Sequence, residues 1–380
     1  MLVRLKALQT FLLFICVILV FIPNESLARE LYSRHTSVRA LGMGGAFIPL
    51  ARGADALYFN PAGLARTTEV TLTPLKLRAG VNGVDAYEDA EDFDSDNFAD
   101  TLRNFYGDTL WLGGGATVGL SMPYFAAAIY DSFNVSADLS NPALPSFEVD
   151  FVNDYGIATG FGIDVFPGFS LGIVGKRIDR RGASLEIPVS SIANLSNEDL
   201  KDELNNRGIG YAFDFGAMLT LPFSVNPAIS LVMKDIGDTS FSLKSGIRNP
   251  PTDYSELMGA FSFEVEIPGI TISPVFEMRH LTDNEVHIGK KIHMGVEVDL
   301  PGIDLRVGLH QGYYTAGLGL NLGIIMLDFA TYGVEMGEYP GQHEDRRYMF
   351  EMTIDFGYDT ASGSFLGLTK ENRNKLKQRR

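Results

Sequence analysis

The sequence predicts an all-β fold, a transmembrane antiparallel β-barrel of about 14 strands. Three observations indicate this fold: an export signal with no later run of 18 apolar residues, segments in which large apolar residues alternate with small or polar ones, and connections that alternate between long and short. The 380 residues would suggest two or three soluble domains, but a large barrel uses such a length as one domain.

The composition excludes several other classes of protein. Hydrophobic residues make up 46% and charged residues 21% of the chain, which argues against intrinsic disorder. A single Cys excludes a disulfide scaffold and a Cys-based structural zinc site. The formal net charge of −16 argues against binding of nucleic acid, which requires a basic surface. The 40 glycines exceed average usage and require an explanation of their own.

Residues 1–28 have the layout of a secretory signal peptide. Two basic residues precede the apolar run of residues 11–22, Pro23 ends that run, and small residues lead to a cleavage site after Ala28. A transmembrane anchor is the alternative, but the run is too short, since a spanning helix needs about 20 residues. Cleavage removes the only Cys, Cys16, together with two of the 31 basic and one of the 47 acidic residues, so the net charge becomes 29 − 46 = −17.

Beyond residue 68 the chain consists of segments of about ten residues with a period of two. In residues 211–219, large apolar side chains such as Phe213 alternate with small or charged ones such as Asp214, and residues 292–300 repeat the pattern. Alternation places one set of residues on each face of a strand. The predicted strands span residues 70–79, 113–121, 124–138, 149–163, 169–185, 208–221, 226–243, 256–267, 270–282, 289–299, 303–311, 314–322, 324–332 and 348–357.

The connections between these strands alternate in length. Those at 122–123 and 301–302 are short turns, whereas those at 80–112 and 186–207 are long. Outer-membrane barrels have short periplasmic turns and long external loops, whereas a soluble β-sandwich, the alternative, has no reason to separate the two. An even number of strands then places both chain ends in the periplasm of a Gram-negative bacterium. Only the connection at 311–313 is short where a long one is expected.

Two prolines, Pro74 and Pro274, lie inside predicted strands. Because proline has no N–H for the ladder, we expect kinks or bulges at both positions. Such a kink would be ordinary barrel curvature or a gap in the wall, and curvature is favoured because bulges are common in barrels.

Two stretches of the chain resemble a known family. The first reads LGMGGAF over residues 41–47 and ADALYFNPAGLA over residues 54–65, and it resembles the N terminus of the FadL-like outer-membrane proteins. Its Gly-Gly-Ala-Phe part is more similar to the PorV/PorQ-type branch, as is the second stretch, residues 310–348. The superfamily includes channels for long-chain fatty acids and for aromatic hydrocarbons, and the resemblance implies a barrel of 14 strands.

The resemblance also implies that residues 29–68 fold inside the barrel as a plug or hatch that closes the lumen from the periplasmic side. The expected plug or gate residues are those of the family's Asn-Pro-Ala element and a glycine pair that permits close packing: Asn60, Pro61, Ala62, Gly44 and Gly45. The plug either moves as a gate or is a permanent part of the core. No ligand-binding residue of the family has a match here.

The alternation also predicts a set of charged side chains on the lumen face, because charges facing lipid are costly. They are Asp214, Glu264, Glu266, Glu277, Arg279, Glu297, Asp299, Asp304, Arg306, Asp328, Glu351 and Asp355. These side chains either line a pathway or pair with one another and with the plug.

No catalytic set, cofactor motif or metal-ligand spacing is found in the sequence, so we expect neither an enzyme nor a cofactor. The G-x-S-x-G pattern at residues 168–172 opens a strand and lacks the strand-turn-helix setting of a hydrolase. The acidic stretch 85–108 has Asp92, Asp94 and Asp96 at an EF-hand spacing, but it lacks the required Gly and Glu. A solvated acidic loop or an adventitious divalent-ion site are the two interpretations.

The sequence therefore predicts four parts: a signal peptide (1–28), a plug (29–68), an outer-membrane barrel (69–358) and a basic periplasmic tail (359–380). The predicted function is passage of hydrophobic small molecules, such as fatty acids or hydrocarbons, across the outer membrane. The alternative is a PorV-like accessory barrel that binds exported proteins. Expected partners are accordingly outer-membrane lipid, a hydrophobic small-molecule ligand or an exported protein.

Overall fold

Strands dominate the computed structural model, which describes residues 30–31, 35–82, 109–140, 146–188, 204–359 and 364–366. In these ranges the strands are β1 (Glu69–Asn82), β2 (Thr109–Met122), β3 (Phe125–Ser140), β4 (Ser146–Phe166), β5 (Phe169–Pro188), β6 (Arg207–Thr220), β7 (Ala228–Lys234), β8 (Ser242–Ser245), β9 (Glu256–Ser262), β10 (Val265–Ile267), β11 (Ile270–Met278), β12 (Ile292–Leu300), β13 (Ile303–His310), β14 (Tyr313–Asn321), β15 (Ile325–Glu335), β16 (Glu344–Asp359) and β17 (Ser364–Leu366). The predicted signal peptide, the acidic stretch 85–108 and most of the tail lie outside the described residues.

The helical segments are short. In the described ranges they are α1 (Val38–Gly42), the 3₁₀ helices η1 (Gly53–Leu57) and η2 (Pro61–Arg66), and α2 (Ile288–Lys291). Within the described ranges, no helix has the length and apolar character needed to cross a membrane.

The strands form one closed antiparallel barrel. β1 pairs with both β2 and β16, which closes the sheet. β9 and β10 are successive parts of one stave, because both pair with β11. β8 continues the stave of β7 along β6, and β17 is a short addition beside β16. The described barrel therefore has 14 staves, which confirms the predicted fold class.

Two predicted strand ends were wrong. The single strand expected over 226–243 is interrupted after Lys234, and Ser242–Ser245 resumes beside β6 in the same direction as β7. The chain breaks because Asp235 and Asp238 have φ values of 49° and 62°, in the left-handed region that a strand does not use. The strand expected over 270–282 ends at Met278 for the same reason, since His280 has a φ of 50°.

Alternation separates an outer apolar face from an inner polar face, as predicted. Phe213 exposes 54% of its surface and its neighbour Asp214 exposes 1%. A band of exposed large apolar side chains surrounds the barrel, with members such as Ile157, Phe161, Ile173, Leu231, Val307, Phe329 and Phe350. An apolar exterior of this kind suits contact with lipid chains.

Both prolines inside strands disturb the sheet, as predicted. At Pro74 the register of β1 shifts against β2 and against β16. Pro274 keeps its partner Val296 in β12, but the stave on its other side is interrupted between Ser262 and Val265. An apolar groove of about 430 Å³ lies over Pro274 on the outer face.

Short turns collect at one end of the barrel, which we call the short-turn end. Gly168, Gly269 and Gly302 occupy these turns with φ between 82° and 89°, where a side chain would be strained. At the opposite end, the unexpectedly short connection is a two-residue turn with φ of 52° at Gln311 and 95° at Gly312. These values are those of a type I′ turn, which matches the twist of a hairpin.

Residues 35–67, here called the N-terminal segment, occupy the interior of the barrel. α1 contacts β13 to β16, whereas η2 contacts β3 to β6 on another part of the wall. Phe47, Leu57 and Leu64 are completely buried between them. The hydrophobic core therefore consists of this segment packed against the inner faces of the staves.

The described residues before β1 lie between one end of the barrel and the other. Glu30 is bound to Arg347, which pairs with Asn82 at the last residue of β1. The N-terminal segment ends next to Glu69, the first residue of β1. The described chain thus starts towards the end with the long connections, whereas the mature N terminus was expected at the short-turn end.

Glycines in the wall allow the N-terminal segment to pack backbone to backbone. A Cβ at Gly172 would lie 2.2 Å from the carbonyl oxygen of Pro61, and a Cβ at Gly295 would lie 2.2 Å from that of Met43. Both distances are well inside van der Waals contact, so only glycine fits. Other wall glycines face the segment in the same way: Gly162, Gly216, Gly308 and Gly317. These contacts explain part of the high glycine content.

We expect Gly172→Val to push η2 off the wall and to lower the free energy of unfolding by about 1–3 kcal/mol, the usual cost of overpacking. Gly175→Val is a matched control on the same strand, because its Cβ would lie 3.6 Å from the Phe213 ring, an ordinary contact. Urea unfolding of both variants measures the difference. Equal unfolding midpoints would show that η2 does not depend on this contact.

Candidate functional site

Asn60 fixes the turn that leads into η2. Its side-chain oxygen accepts a hydrogen bond from the Ala62 N–H (3.1 Å), and its amide nitrogen donates to the Ile48 carbonyl (3.0 Å). Pro61 occupies the first position of η2, where its missing N–H costs nothing. Asn60 is thus the N-cap of η2. The predicted Asn-Pro-Ala element thus lies against the inner wall at Gly172 and Gly216.

The glycine pair Gly44 and Gly45 lies against β12 and β13. Their φ values are 68° and 81°, which explains the need for glycine. The Gly44 carbonyl lies 2.9 Å from Nδ1 of His293 and 3.1 Å from Nδ1 of His310. The Gly45 carbonyl accepts a hydrogen bond from Arg279 (2.5 Å). Side chains of the wall therefore hold this glycine pair through the backbone carbonyl oxygens of the two glycines.

Glu277 and Arg279 fasten the next part of the segment to the end of β11. The Glu277 carboxylate accepts hydrogen bonds from the N–H groups of Phe47 (2.8 Å) and Ile48 (3.0 Å). Its other oxygen accepts from Nε of Arg279 (2.8 Å). Glu277 is completely buried, so these bonds replace its hydration.

Glu297 is the centre of an ionic cluster between the N-terminal segment and the wall. Its carboxylate accepts from Arg39 of α1 (2.8 and 2.5 Å) and from Nε of Arg306 (2.7 Å). Arg306 also bonds to Asp328 (2.5 Å) and Asp304 (3.4 Å). One carboxylate therefore joins a cation of the segment to a cation of the barrel.

The other predicted lumen charges are also mostly paired. Lys76 lies 3.3 Å from Glu351 and 3.0 Å from Asp55 of the N-terminal segment. Asp214 pairs with Lys176, Glu264 lies 3.8 Å from Arg52, and the Asp355 carboxylate accepts from Thr73 (2.5 Å). Asp299 lines a cavity beside Asp304, whereas Glu266 is exposed at the short-turn end.

Several basic residues of the interior were missed from the sequence. Arg180 is completely buried and binds the carboxylates of Asp154 (2.7 Å) and Asp253 (2.6 Å), with the Phe241 ring 4.2 Å away. The missed bases are Lys76, Arg78, Lys176, Arg180 and Arg347. The period-two alternation that placed the acidic residues on the lumen face also places these basic residues there, so the sequence contained the signal for them.

His35 anchors the beginning of the N-terminal segment by ring contacts. Its ring stacks on Tyr58 at 4.5 Å and meets the edge of Tyr130 at 4.2 Å. Burial and the nearby charge of Arg78 lower the pKa of His35 well below its usual range. The imidazole is therefore neutral at physiological pH and packs as an aromatic ring.

Among the described residues, two of the cavities lie between the N-terminal segment and the wall. The upper cavity, towards the end with the long connections, measures about 90 Å³ and is lined by Leu41, Trp111, Val334 and Arg347 among others. The lower cavity, towards the short-turn end, measures about 190 Å³ and is lined by charges of both signs from the segment and from β1, β13 and β16. Among the described residues, no group of three or more His, Cys, Asp or Glu side chains could hold a metal ion.

Comparison with known proteins identifies the fold. No protein-family model matches the chain, and no curated protein matches it. The deltaS2S3 mutant of the monoaromatic hydrocarbon channel TodX is 10% identical and covers 88% of this chain and 100% of its own, with a TM-score of 0.50. The chain has the fold of that channel.

Two further solved structures are more distant. The toluene transporter TodX of Pseudomonas putida is 10% identical and covers 87% of this chain and 99% of its own, with a TM-score of 0.44. A FadL homologue of Pseudomonas aeruginosa is 11% identical and covers 88% of this chain and 100% of its own, with a TM-score of 0.43.

Proposed function

We propose that this protein passes hydrophobic small molecules, such as hydrocarbons or fatty acids, across the outer membrane of a Gram-negative bacterium. The observation that carries the proposal is the upper cavity, where the apolar side chains of Leu41, Trp111 and Val334 lie between the N-terminal segment and the wall, beside charged and polar side chains. A solved hydrocarbon channel with the same fold supports it. In this function the protein is a channel and catalyses no reaction.

We infer that residues 29–68 act as the plug and residues 69–358 as the wall, with the short-turn end in the periplasm. The buried position of the N-terminal segment supports this division. In that orientation the tail 359–380 starts in the periplasm, while Glu30 lies towards the extracellular end. The apolar outer band would contact outer-membrane lipid.

Uptake of radiolabelled toluene and hexadecane tests the proposal, because neither molecule carries a charge. Cells that produce the protein should accumulate both faster than cells without the gene. The control is an otherwise identical strain that produces an unrelated barrel at the same level. Equal uptake in the strains, with folded protein in the outer membrane, would refute passage of hydrophobic molecules.

The second candidate is a PorV-like accessory barrel that binds exported proteins. The observation in its favour is the dense set of ion pairs that ties the N-terminal segment to the wall, among them the bonds of Glu277 and Glu297. A fixed interior suits a docking platform better than a channel. Loss of a secreted protein from the surface of cells without the gene, with unchanged hydrocarbon uptake, would favour this function.

A further inference from the structure

Four basic residues lie within residues 176–181 of β5, in a chain whose formal net charge is −16. Their side chains alternate between the two faces of the wall. Lys176 and Arg180 are buried in the interior, where each is paired with a carboxylate. Arg177 and Arg181 lie on the outer face, where Arg181 is exposed and Arg177 is half-buried. The interior pairs therefore explain only half of this basic stretch.

A third arginine joins these two on the outer face. Arg207 of β6 is the register partner of Arg181, so two cations stand directly opposite each other on neighbouring strands. Like charges in such positions repel each other and destabilise the pairing. Asp179 lies between Arg177 and Arg181 on β5, and its two carboxylate oxygens accept hydrogen bonds from Arg207 (2.8 and 2.6 Å). The outer basic cluster, formed by Arg177, Arg181 and Arg207, therefore has three cations around one carboxylate.

The outer basic cluster lies at one edge of the apolar outer band. Tyr155 of β4 is the register partner of Asp179, and Tyr211 of β6 is that of Arg177. Both tyrosines are exposed, and exposed tyrosines of barrels collect where the membrane meets water. Towards the short-turn end, the same outer face of β5 becomes apolar, with Ile173 exposed. The outer basic cluster is therefore at the level of lipid headgroups, on the side of the long connections.

We propose that the outer basic cluster binds the phosphate groups of a phosphorylated glycolipid in the outer leaflet of the outer membrane. The proposal goes beyond the passage of hydrophobic molecules, but it uses the orientation with the short-turn end in the periplasm. A guanidinium group matches two phosphate oxygens at once, and arginine is the residue best suited to this contact. A phosphate between Arg181 and Arg207 supplies the negative charge that Asp179 alone does not provide. The acyl chains of the lipid then lie on the apolar face at Ile173.

The setting of the cluster favours a lipid over a protein partner. On its side towards the short-turn end the adjoining surface is the apolar band, which hydrocarbon chains cover in a membrane. A ligand that reaches the cluster must therefore combine an anionic head with an apolar part that can lie on this band. A phosphorylated glycolipid has both parts.

The test is native mass spectrometry of the full mature protein in detergent, titrated with diphosphorylated lipid A and with the same lipid after removal of its phosphates. We expect the phosphorylated form to bind at least about tenfold more tightly, since each arginine near a membrane surface adds to the attraction of an anionic lipid. Arg177→Gln combined with Arg181→Gln should remove this preference. Arg207 stays in both proteins because it holds Asp179.

Arg346→Gln is the matched control. Arg346 lies over the exposed ring of Tyr314 at the same end of the barrel, but it has a carboxylate of its own, that of Glu344. Its loss should leave lipid A affinity within about twofold of the original. Slow migration of the unheated proteins in gels shows that each barrel is folded. If the double variant does not fold, Arg177→Gln and Arg181→Gln alone should each lower the preference by about threefold or more.

The proposal is overturned if the folded double variant keeps the preference for phosphorylated lipid A, or if the original protein has none. It is also overturned if inorganic phosphate at the concentration of the lipid displaces lipid A, because the cluster would then be a site for free phosphate. A dimer that the double variant loses, without bound lipid, would assign the cluster to a contact between copies and overturn it as well.

These outcomes are independent of the proposed function, which is measured by uptake of toluene and hexadecane in cells. Phosphate-dependent lipid binding without hydrocarbon uptake would support the role of the cluster and reject the passage of hydrocarbons. Uptake without lipid binding would do the reverse.

Discussion

A disulfide between Ala54→Cys and Gly119→Cys is expected to stop uptake of hydrophobic molecules, and a reducing agent should restore it. A Cβ at Gly119 of β2 would lie 3.6 Å from the Cβ of Ala54 in η1, a separation within the range that disulfides span. The added Cβ meets nothing closer than 3.6 Å, so the substitution itself introduces no clash. The link would tie the N-terminal segment to the wall, and a plug that must move to open the channel would be locked.

The protein provides a matched control for this experiment. The same position 119 also lies 3.6 Å from the Cβ of Ala128, its register partner on β3. Gly119→Cys with Ala128→Cys therefore joins wall to wall and leaves the N-terminal segment free. The only native Cys, Cys16, lies in the predicted signal peptide, so no other thiol is expected to interfere. Oxidation forms the bonds in the periplasm, and gel mobility with and without reductant measures their yield.

The result separates the two interpretations of the N-terminal segment. Loss of toluene uptake in the oxidised 54–119 variant alone would show that the segment gates the channel. Unchanged uptake in both oxidised variants would show that it is a permanent part of the core and that molecules take another route. If the 119–128 variant also lost uptake, the substitution at Gly119 rather than the tie would be responsible.

The barrel was predictable because a membrane sheet imposes the same two-residue period on every stave. The face of the sheet on which a residue such as Phe213 or Asp214 lies can therefore be predicted from its neighbours in sequence alone, without knowing which residues it pairs with. The split between β7 and β8 was not predictable in this way. Residues 235–240 interrupt the period, since Ile236 is their one large apolar side chain, and left-handed backbone at Asp235 and Asp238 breaks the strand there.

The interior was harder to predict, because its contacts join residues far apart in sequence. The acids of the lumen face follow from alternation, but the partner of Glu297 in the N-terminal segment, Arg39, lies 258 residues away. Nothing local indicates that Glu30 reaches Arg347 at the far end of the lumen. The wall glycines were noticeable in the sequence only as a high glycine content. Which of them must be glycine depends on the positions of Pro61 and Met43 inside the barrel.

Removal of the charge at Glu297 is expected to destabilise the protein strongly. Glu297→Gln keeps the shape of the side chain, but it leaves Arg39 without its carboxylate and Arg306 with fewer partners. Loss of one member of a buried ionic set typically costs about 3–5 kcal/mol, and the side chain of Glu297 is only 1% exposed. Urea unfolding in detergent micelles measures the loss. Glu266→Gln, at an exposed site, removes the same charge and should shift the midpoint little.

A double-mutant cycle then assigns the loss to the contact between segment and wall. Arg39→Gln and Glu297→Gln each leave a charge behind, so the double variant should be less destabilised than the sum of the single ones, by about 0.5–3 kcal/mol. A sum equal to the double variant would show that Glu297 acts through Arg306 alone and that α1 is not held by this pair. If the coupling is found, Glu297→Gln should also increase ion conductance in planar bilayers. The same bond that stabilises the fold would then keep the N-terminal segment closed.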